Sequence, residues 1–175
     1  MTKRNRSIRN ALFASSVLIA AAPALAADVT PDRLANPDRE PQNWLMNHRS
    51  YDGQRFSPLA RINTGNVKGL KLAYTVALGG TGANEYVQAT PLAENGFLYI
   101  TDSAGVLYKI DGRSGDTGRI VWRMDPGQEK QDRNRGAALW GNLVITAANN
   151  PPRIIATDKE TGKVVWETSF PDSRT

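Results

Sequence analysis

The chain has 175 residues, a formal net charge of +5, no cysteine and one histidine. That inventory excludes a disulfide framework, a Cys-ligated zinc site, a c-type haem attachment motif, a lipidated Cys anchor and a multi-His metal site. Four of the 22 basic residues precede Ala26; the remaining 18 face 17 acidic residues, and no Lys/Arg cluster with interleaved aromatics is left to engage nucleic acid.

Residues 1–26 read as a secretory signal peptide. Lys3, Arg4, Arg6 and Arg9 give a basic start, residues 11–22 are apolar, and Ala24-Leu25-Ala26 is a cleavage signal. The apolar run is too short to span a bilayer and shows no polar face of the kind a buried amphipathic helix carries. No Arg-Arg pair is present, so the general secretory route and a periplasmic location are expected. No later apolar stretch is long enough for a membrane helix.

Residues 27–70 form an N-terminal arm that leads into the repeats. Pro31, Pro37 and Pro41 punctuate a polar stretch in which Thr30 is placed to cap a helical turn over 31–36. Residues 43–70 are denser in apolar side chains, with turns at Asp52-Gly53 and Ser57-Pro58 and a helical turn expected over 63–70 behind Asn63.

From residue 71 the pattern is β. A strand is expected over 72–78, then four over 86–93, 97–101, 106–110 and 119–124, with Asn95-Gly96 as a hairpin turn. A polar connection follows over 125–134. The pattern then restarts with strands over 136–140, 143–147, 153–157 and 163–168. The two sets share a phrase: IDGRSGDTGRIVW ending at Trp122 and TDKETGKVVW ending at Trp166, 44 residues apart. A period in that range marks a repeat architecture. A fainter copy upstream aligns Lys71-Leu72-Ala73-Tyr74-Thr75 with the two Trp strands.

These signals imply an all-β chain: an incomplete β-propeller of two four-stranded antiparallel blades, 86–124 and 136–168, with an orphan N-terminal outer strand at 72–78. A generic β-sandwich would leave the joint recurrence of strand count, turn and terminal Trp incidental. Asp111 and Asp158 are structural by their position in the repeat. Two blades cannot close a ring and repeat units need neighbours, so the chain is expected to be the N-terminal part of a longer protein.

The run NWLMNHRSYDGQRFSPLARINTGNVKGL, followed by LAYTVAL and QATPLAENGFLYIT, resembles the start of the PQQ-dependent alcohol dehydrogenases of the methanol and ethanol dehydrogenase class. The resemblance extends through both Trp repeats and Asn134-Arg135-Gly136. It implies an eight-bladed propeller that holds pyrroloquinoline quinone (PQQ) near its axis beside a Ca²⁺ or lanthanide ion, oxidises primary alcohols and passes electrons to a cytochrome c. The metal ligands and catalytic Asp of that family would lie beyond Thr175, so no catalytic or metal residue is assigned here.

On that resemblance Arg135 matches the Arg of the family's Asn-Arg-Gly motif and is a candidate PQQ ligand, because a guanidinium holds carboxylate or quinone oxygens through paired hydrogen bonds. Without the resemblance it reads as a surface Arg in a polar loop. Gln88, on the expected first innermost strand, matches a position where the family commonly has a PQQ-contacting Glu; the alternative is an ordinary polar strand residue. Glu129 and Lys130 fall at or near the family's adjacent Cys-Cys pair. His48 is read as a loop residue, Lys159 and Glu160 as a solvated turn, and the Asp102–Gly105 turn as too poor in oxygens for Ca²⁺. The rival function is a non-catalytic binding or scaffold propeller completed by partner chains.

Overall fold

The computed structural model describes residues 27–79, 86–128 and 133–170. The expected signal peptide and the Glu129–Lys130 pair lie outside the described residues.

Two four-stranded antiparallel meanders account for nearly all the regular structure. The first orders β1 (Leu92–Glu94), β2 (Phe97–Thr101), β3 (Leu107–Asp111) and β4 (Arg119–Met124); the second orders β5 (Ala138–Trp140), β6 (Leu143–Asn149), β7 (Pro152–Asp158) and β8 (Val164–Ser169). The β1–β2 hairpin turns at Asn95 and Gly96, both at positive φ (51° and 80°), the twist-matched two-residue turn that Asn-Gly favours.

β2 and β4 occupy the expected residues. β1 does not: its ladder starts at Leu92, opposite Tyr99, and the expected 86–91 portion, Gln88 included, is not strand. β5 likewise starts two residues late, behind Gly136 at φ 118°.

Alternation along the strands builds two cores. Leu92, Tyr99, Leu107 and Met124 of the first sheet face Leu139, Val144, Ala148 and Ile155 of the second, and Val29, Leu34 and Leu45 from the arm close that layer. Val106, Tyr108 and Ile110 project from the opposite face of the first sheet and pack with Val76, Leu78 and Ile120. β3 is thus buried on both faces. β8 is exposed along its whole length.

Each outer strand carries a β-bulge at the same place in the repeat. Lys109 pairs with Trp122 but Ile110 pairs with Ile120, which leaves Val121 over; Ala156 pairs with Trp166 but Thr157 with Val164, which leaves Val165 over. A bulge resets the face that following side chains address. It lets Ile120 enter one core while Trp122 joins the other.

Residues 72–78 form no ladder among the described residues. The segment instead lies on the first sheet: Tyr74 and Val76 meet the β3–β4 turn at Gly118, and Gly79 lies near Tyr108 and Arg123. The arm is more ordered than its polarity suggested. Thr30 caps α1 (Pro31–Ala35) through its hydroxyl, which accepts from Arg33 N–H at 3.3 Å. Val29 bridges to Gly141 of the second sheet and Trp44 to Ala93 of the first, so the arm straps both sheets together. Further along the arm the helical turn covers Val67–Gly69, shorter than expected, and its N-cap is Asn66, without a side-chain cap hydrogen bond; Asn63, the expected cap, instead accepts from Gly65 N–H in the turn before it.

Candidate functional site

The two sheets meet where their innermost strands begin. Gly136 lies against the chain leading into β1: a Cβ there would stand 3.2 Å from the Thr90 carbonyl oxygen and 3.8 Å from the Ala89 Cβ. That close approach and its φ of 118° both select glycine. Gln88 and Arg135 flank this crossing, on the entry segments to β1 and β5. Both side chains are exposed, and neither has a hydrogen-bond or ionic partner among the described residues.

The backbone around Arg135 is held firmly. The Asn134 side chain is buried; its Oδ1 accepts from the Thr101 hydroxyl at 2.7 Å and from Gly136 N–H at 2.9 Å, and its Nδ2 donates to the Ala147 carbonyl at 3.0 Å. Thr101 ends β2 in one sheet and Ala147 lies in β6 of the other. Upstream, Gln128 donates to the Ala104 carbonyl and accepts from Asn149 N–H, which ties the connection to the β2–β3 and β6–β7 hairpins. Asn134 entered the sequence reading only as part of the Asn-Arg-Gly resemblance, without a role of its own, and Thr101 and Gln128 were not singled out; that motif was the available signal.

The other polar candidates are structural. Asp158 accepts from the N–H groups of Glu160 and Thr161 and from the Thr161 hydroxyl, which hold its carboxyl below the usual range. Asp111 is held down to about 2 by the Arg113 guanidinium and N–H. Asp102 accepts from Val106 N–H and from the Tyr108 hydroxyl, whose pKa burial pushes up to about 12. His48 accepts from Arg55 Nε. No group of three or more His, Cys, Asp or Glu able to hold a metal occurs among the described residues.

The expected solvated turn at Lys159 is a correction. Lys159 is 0% exposed: its Nζ sits 2.7 Å from Glu94 Oε2, and Glu94 also pairs with Arg33 at 2.7 Å. The Lys159 carbonyl accepts from Lys109 Nζ at 2.8 Å and from the Trp122 indole N–H at 3.0 Å. The long aliphatic stem is what allows burial, while the ammonium stays paired.

A family model described as glucose/ethanol/alcohol dehydrogenase, beta-propeller domain, matches residues 44–142, more than half of the chain. The chain belongs to the PQQ-dependent alcohol dehydrogenase family. A second model, described as outer membrane protein assembly factor BamB, matches residues 116–174 and so takes in both Trp strands. Quinohemoprotein alcohol dehydrogenase ADH-IIG of Pseudomonas putida is 35% identical over 160 residues, which cover 85% of this chain and 21% of that protein. Its solved structure matches with a TM-score of 0.73, at 32% identity over 85% of this chain and 22% of that one. Quinoprotein alcohol dehydrogenase PedH, also of Pseudomonas putida, is 34% identical across 97% of this chain and 29% of its own length. A europium-containing methanol dehydrogenase structure matches with a TM-score of 0.62 at 25% identity, over 81% of this chain and 25% of that one. The chain therefore spans between about a fifth and three-tenths of these relatives' length.

The donor set at the sheet crossing fits the chemistry of an anionic quinone: an exposed guanidinium without a partner among the described residues and a neutral amide are both able to donate to carboxylate or carbonyl oxygens.

Proposed function

We propose that this chain forms the first two units of a periplasmic quinoprotein that oxidises primary alcohols, and that it supplies one part of the PQQ-binding wall. The observation that carries the proposal is Arg135, exposed and without a partner among the described residues, beside the clamped Asn134–Gly136 crossing. Arg135 holds a PQQ oxygen and Gln88 contributes a second, neutral contact. PQQ, when bound, supplies the electron sink for alcohol oxidation, with a Ca²⁺ or lanthanide ion beside it and a cytochrome c as acceptor. The chain's own residues bind and orient the cofactor. Metal ligation and proton transfer fall to parts of the family's fold that the described residues do not contain, so the chain alone does not turn over. Export and cleavage behind Ala26 complete the reading.

PQQ titration of the folded chain tests it. A charge-assisted contact contributes about 1.5–3 kcal/mol, so Arg135→Ala weakens binding by about tenfold or more. Equal affinity of the variant and the parent would remove Arg135 from the site. Robust alcohol-dependent dye reduction by the chain with PQQ and Ca²⁺ would overturn the claim of no turnover.

The exposed β8 strand, with Trp166 42% exposed, favours a second reading, a scaffold completed by partner chains. A discrete folded oligomer on size exclusion supports that reading; a folded monomer contradicts it.

A further inference from the structure

We propose that Asn134 is the positioning residue for Arg135, a clamp that fixes the direction in which the guanidinium leaves the sheet crossing. The inference rests on the reading of Arg135 as a PQQ ligand. Asn134 is 8% exposed, yet it uses its amide in three directions: to Thr101 of the first sheet, to Ala147 of the second, and to the N–H of Gly136 just beyond Arg135.

The chemistry selects Asn. Oδ1 must accept from two donors and Nδ2 must donate to a carbonyl. Asp keeps the acceptors but sets a carboxylate oxygen against the Ala147 carbonyl, Ala takes the partner from the buried Thr101 hydroxyl and from two part-buried backbone groups, and Gln is a methylene too long. The clamp also accounts for the conformation of its neighbour. Gly136 takes φ 118° with its backbone against Thr90, and the Asn134 oxygen holds its N–H there. Arg135 is therefore fixed from both sides while its own side chain has no partner among the described residues. Preorganisation of this kind keeps a ligand-binding side chain from spending binding energy on ordering its backbone.

The test is PQQ titration of the chain, read by quenching of tryptophan fluorescence, for the parent, N134A, T101V, T101S, R135A and N134A/R135A. T101V keeps the Thr shape and removes only the hydroxyl that holds Asn134; T101S restores it. A lost buried hydrogen bond and the misdirected guanidinium lower affinity about three- to tenfold in N134A and T101V. T101S binds like the parent, and N134A/R135A binds no worse than R135A alone. If the parent takes up no PQQ, or R135A binds as the parent does, the Arg135 reading fails and this inference falls with it. If R135A loses affinity while T101V does not, or if N134A weakens R135A further, positioning by Asn134 is refuted and the Arg135 reading stands. Should N134A fail to fold, the comparison of T101V with T101S decides.

Discussion

The Trp122 indole N–H donates to the Lys159 carbonyl at 3.0 Å, across the gap from the first sheet to the turn that closes the second. Gly162 lies under the same ring, so close that a Cβ would stand 2.7 Å from two ring carbons. One repeat earlier the relation recurs. The Tyr74 hydroxyl lies against Gly112 and its ring against Gly118, the positions that align with Lys159 and Gly162. Each outer aromatic thus docks on the Thr-Gly turn of the following sheet, and Trp166 is the one repeat aromatic that meets no such turn among the described residues.

That difference predicts unequal costs for equivalent residues. Trp122→Phe removes one part-buried hydrogen bond and costs about 1 kcal/mol; Trp122→Ala also removes the ring from the core edge and costs about 3 kcal/mol. Trp166→Ala stays within about 0.5 kcal/mol of the parent. Urea unfolding of the three variants checks this, and equal losses at 122 and 166 would contradict the docking relation.

Gly118 and Gly115 separate docking from backbone strain. Gly115 has φ 80° and open space around it, so Gly115→Ala carries only a left-handed penalty of about 1–2 kcal/mol. At Gly118 a Cβ would meet the Tyr74 ring at 2.6 Å, and the Val76 side chain as well. Overpacking there costs about 1–3 kcal/mol. In a Tyr74→Ala/Val76→Ala background, which removes both side chains that a Cβ at Gly118 would meet, most of the Gly118→Ala loss disappears, whereas the Gly115→Ala loss does not change. Additive losses at Gly118 and at the Tyr74/Val76 pair would show that the 72–78 segment does not pack on this turn.

The repeat, the hairpins and the bounds of β2 and β4 were legible because they rest on local signals: the Asn-Gly turn, period-two alternation and the recurring Trp. The orphan aromatic at Tyr74 was legible in the same way, through alignment rather than through any pairing of its own. What escaped was long-range. β1 begins only at Leu92, short of the 86–91 stretch, and the pairing with Tyr99 is what shows it. The bulges at Val121 and Val165 are invisible to a period-two reading, which places Ile120 and Trp122 on one face. Lys159 looked solvated because a charged turn usually is; its partner Glu94 lies 65 residues away. At the candidate site the Asn-Arg-Gly motif drew attention to Arg135, while the residue that holds three hydrogen bonds from a buried side chain is the Asn beside it.

The Glu94 carboxylate joins three parts of the molecule. It accepts from Lys159 of the second sheet's turn and from Arg33 of the arm, and it is 1% exposed. Glu94→Gln strands the buried Lys159 ammonium against a neutral amide, while Arg33 keeps its second carboxylate, Glu40. Loss of one partner from a buried ion pair costs about 3–5 kcal/mol, and that loss is expected here in thermal or urea unfolding. Glu94→Gln with Lys159→Met regains part of it, because the second change removes the stranded charge. A double variant less stable than Glu94→Gln alone would show that the lysine stem, rather than the ion pair, holds the turn.

The Asp158 carboxylate gives the fold a defined acid sensitivity. Its oxygen takes the N–H of Thr161, the Thr161 hydroxyl and the N–H of Glu160, and this lowers its pKa in the folded state. A depressed carboxyl contributes stability that is fully present above its unfolded pKa and is lost as pH falls through the folded value. Asp111 follows the same sign, lowered from 3.8 to about 2 by Arg113. The melting temperature of the parent should therefore hold steady from neutral pH down to the ordinary carboxylate range, then drop across the interval from 3.8 towards about 2 in which Asp111 titrates. Asp158→Asn keeps one acceptor oxygen and loses the charge, so it melts lower than the parent at neutral pH. The two melting curves converge as the pH falls through the folded value of Asp158, where the parent loses its advantage. A gap of constant size at every pH would mean that the Asp158 contribution is steric, not ionic.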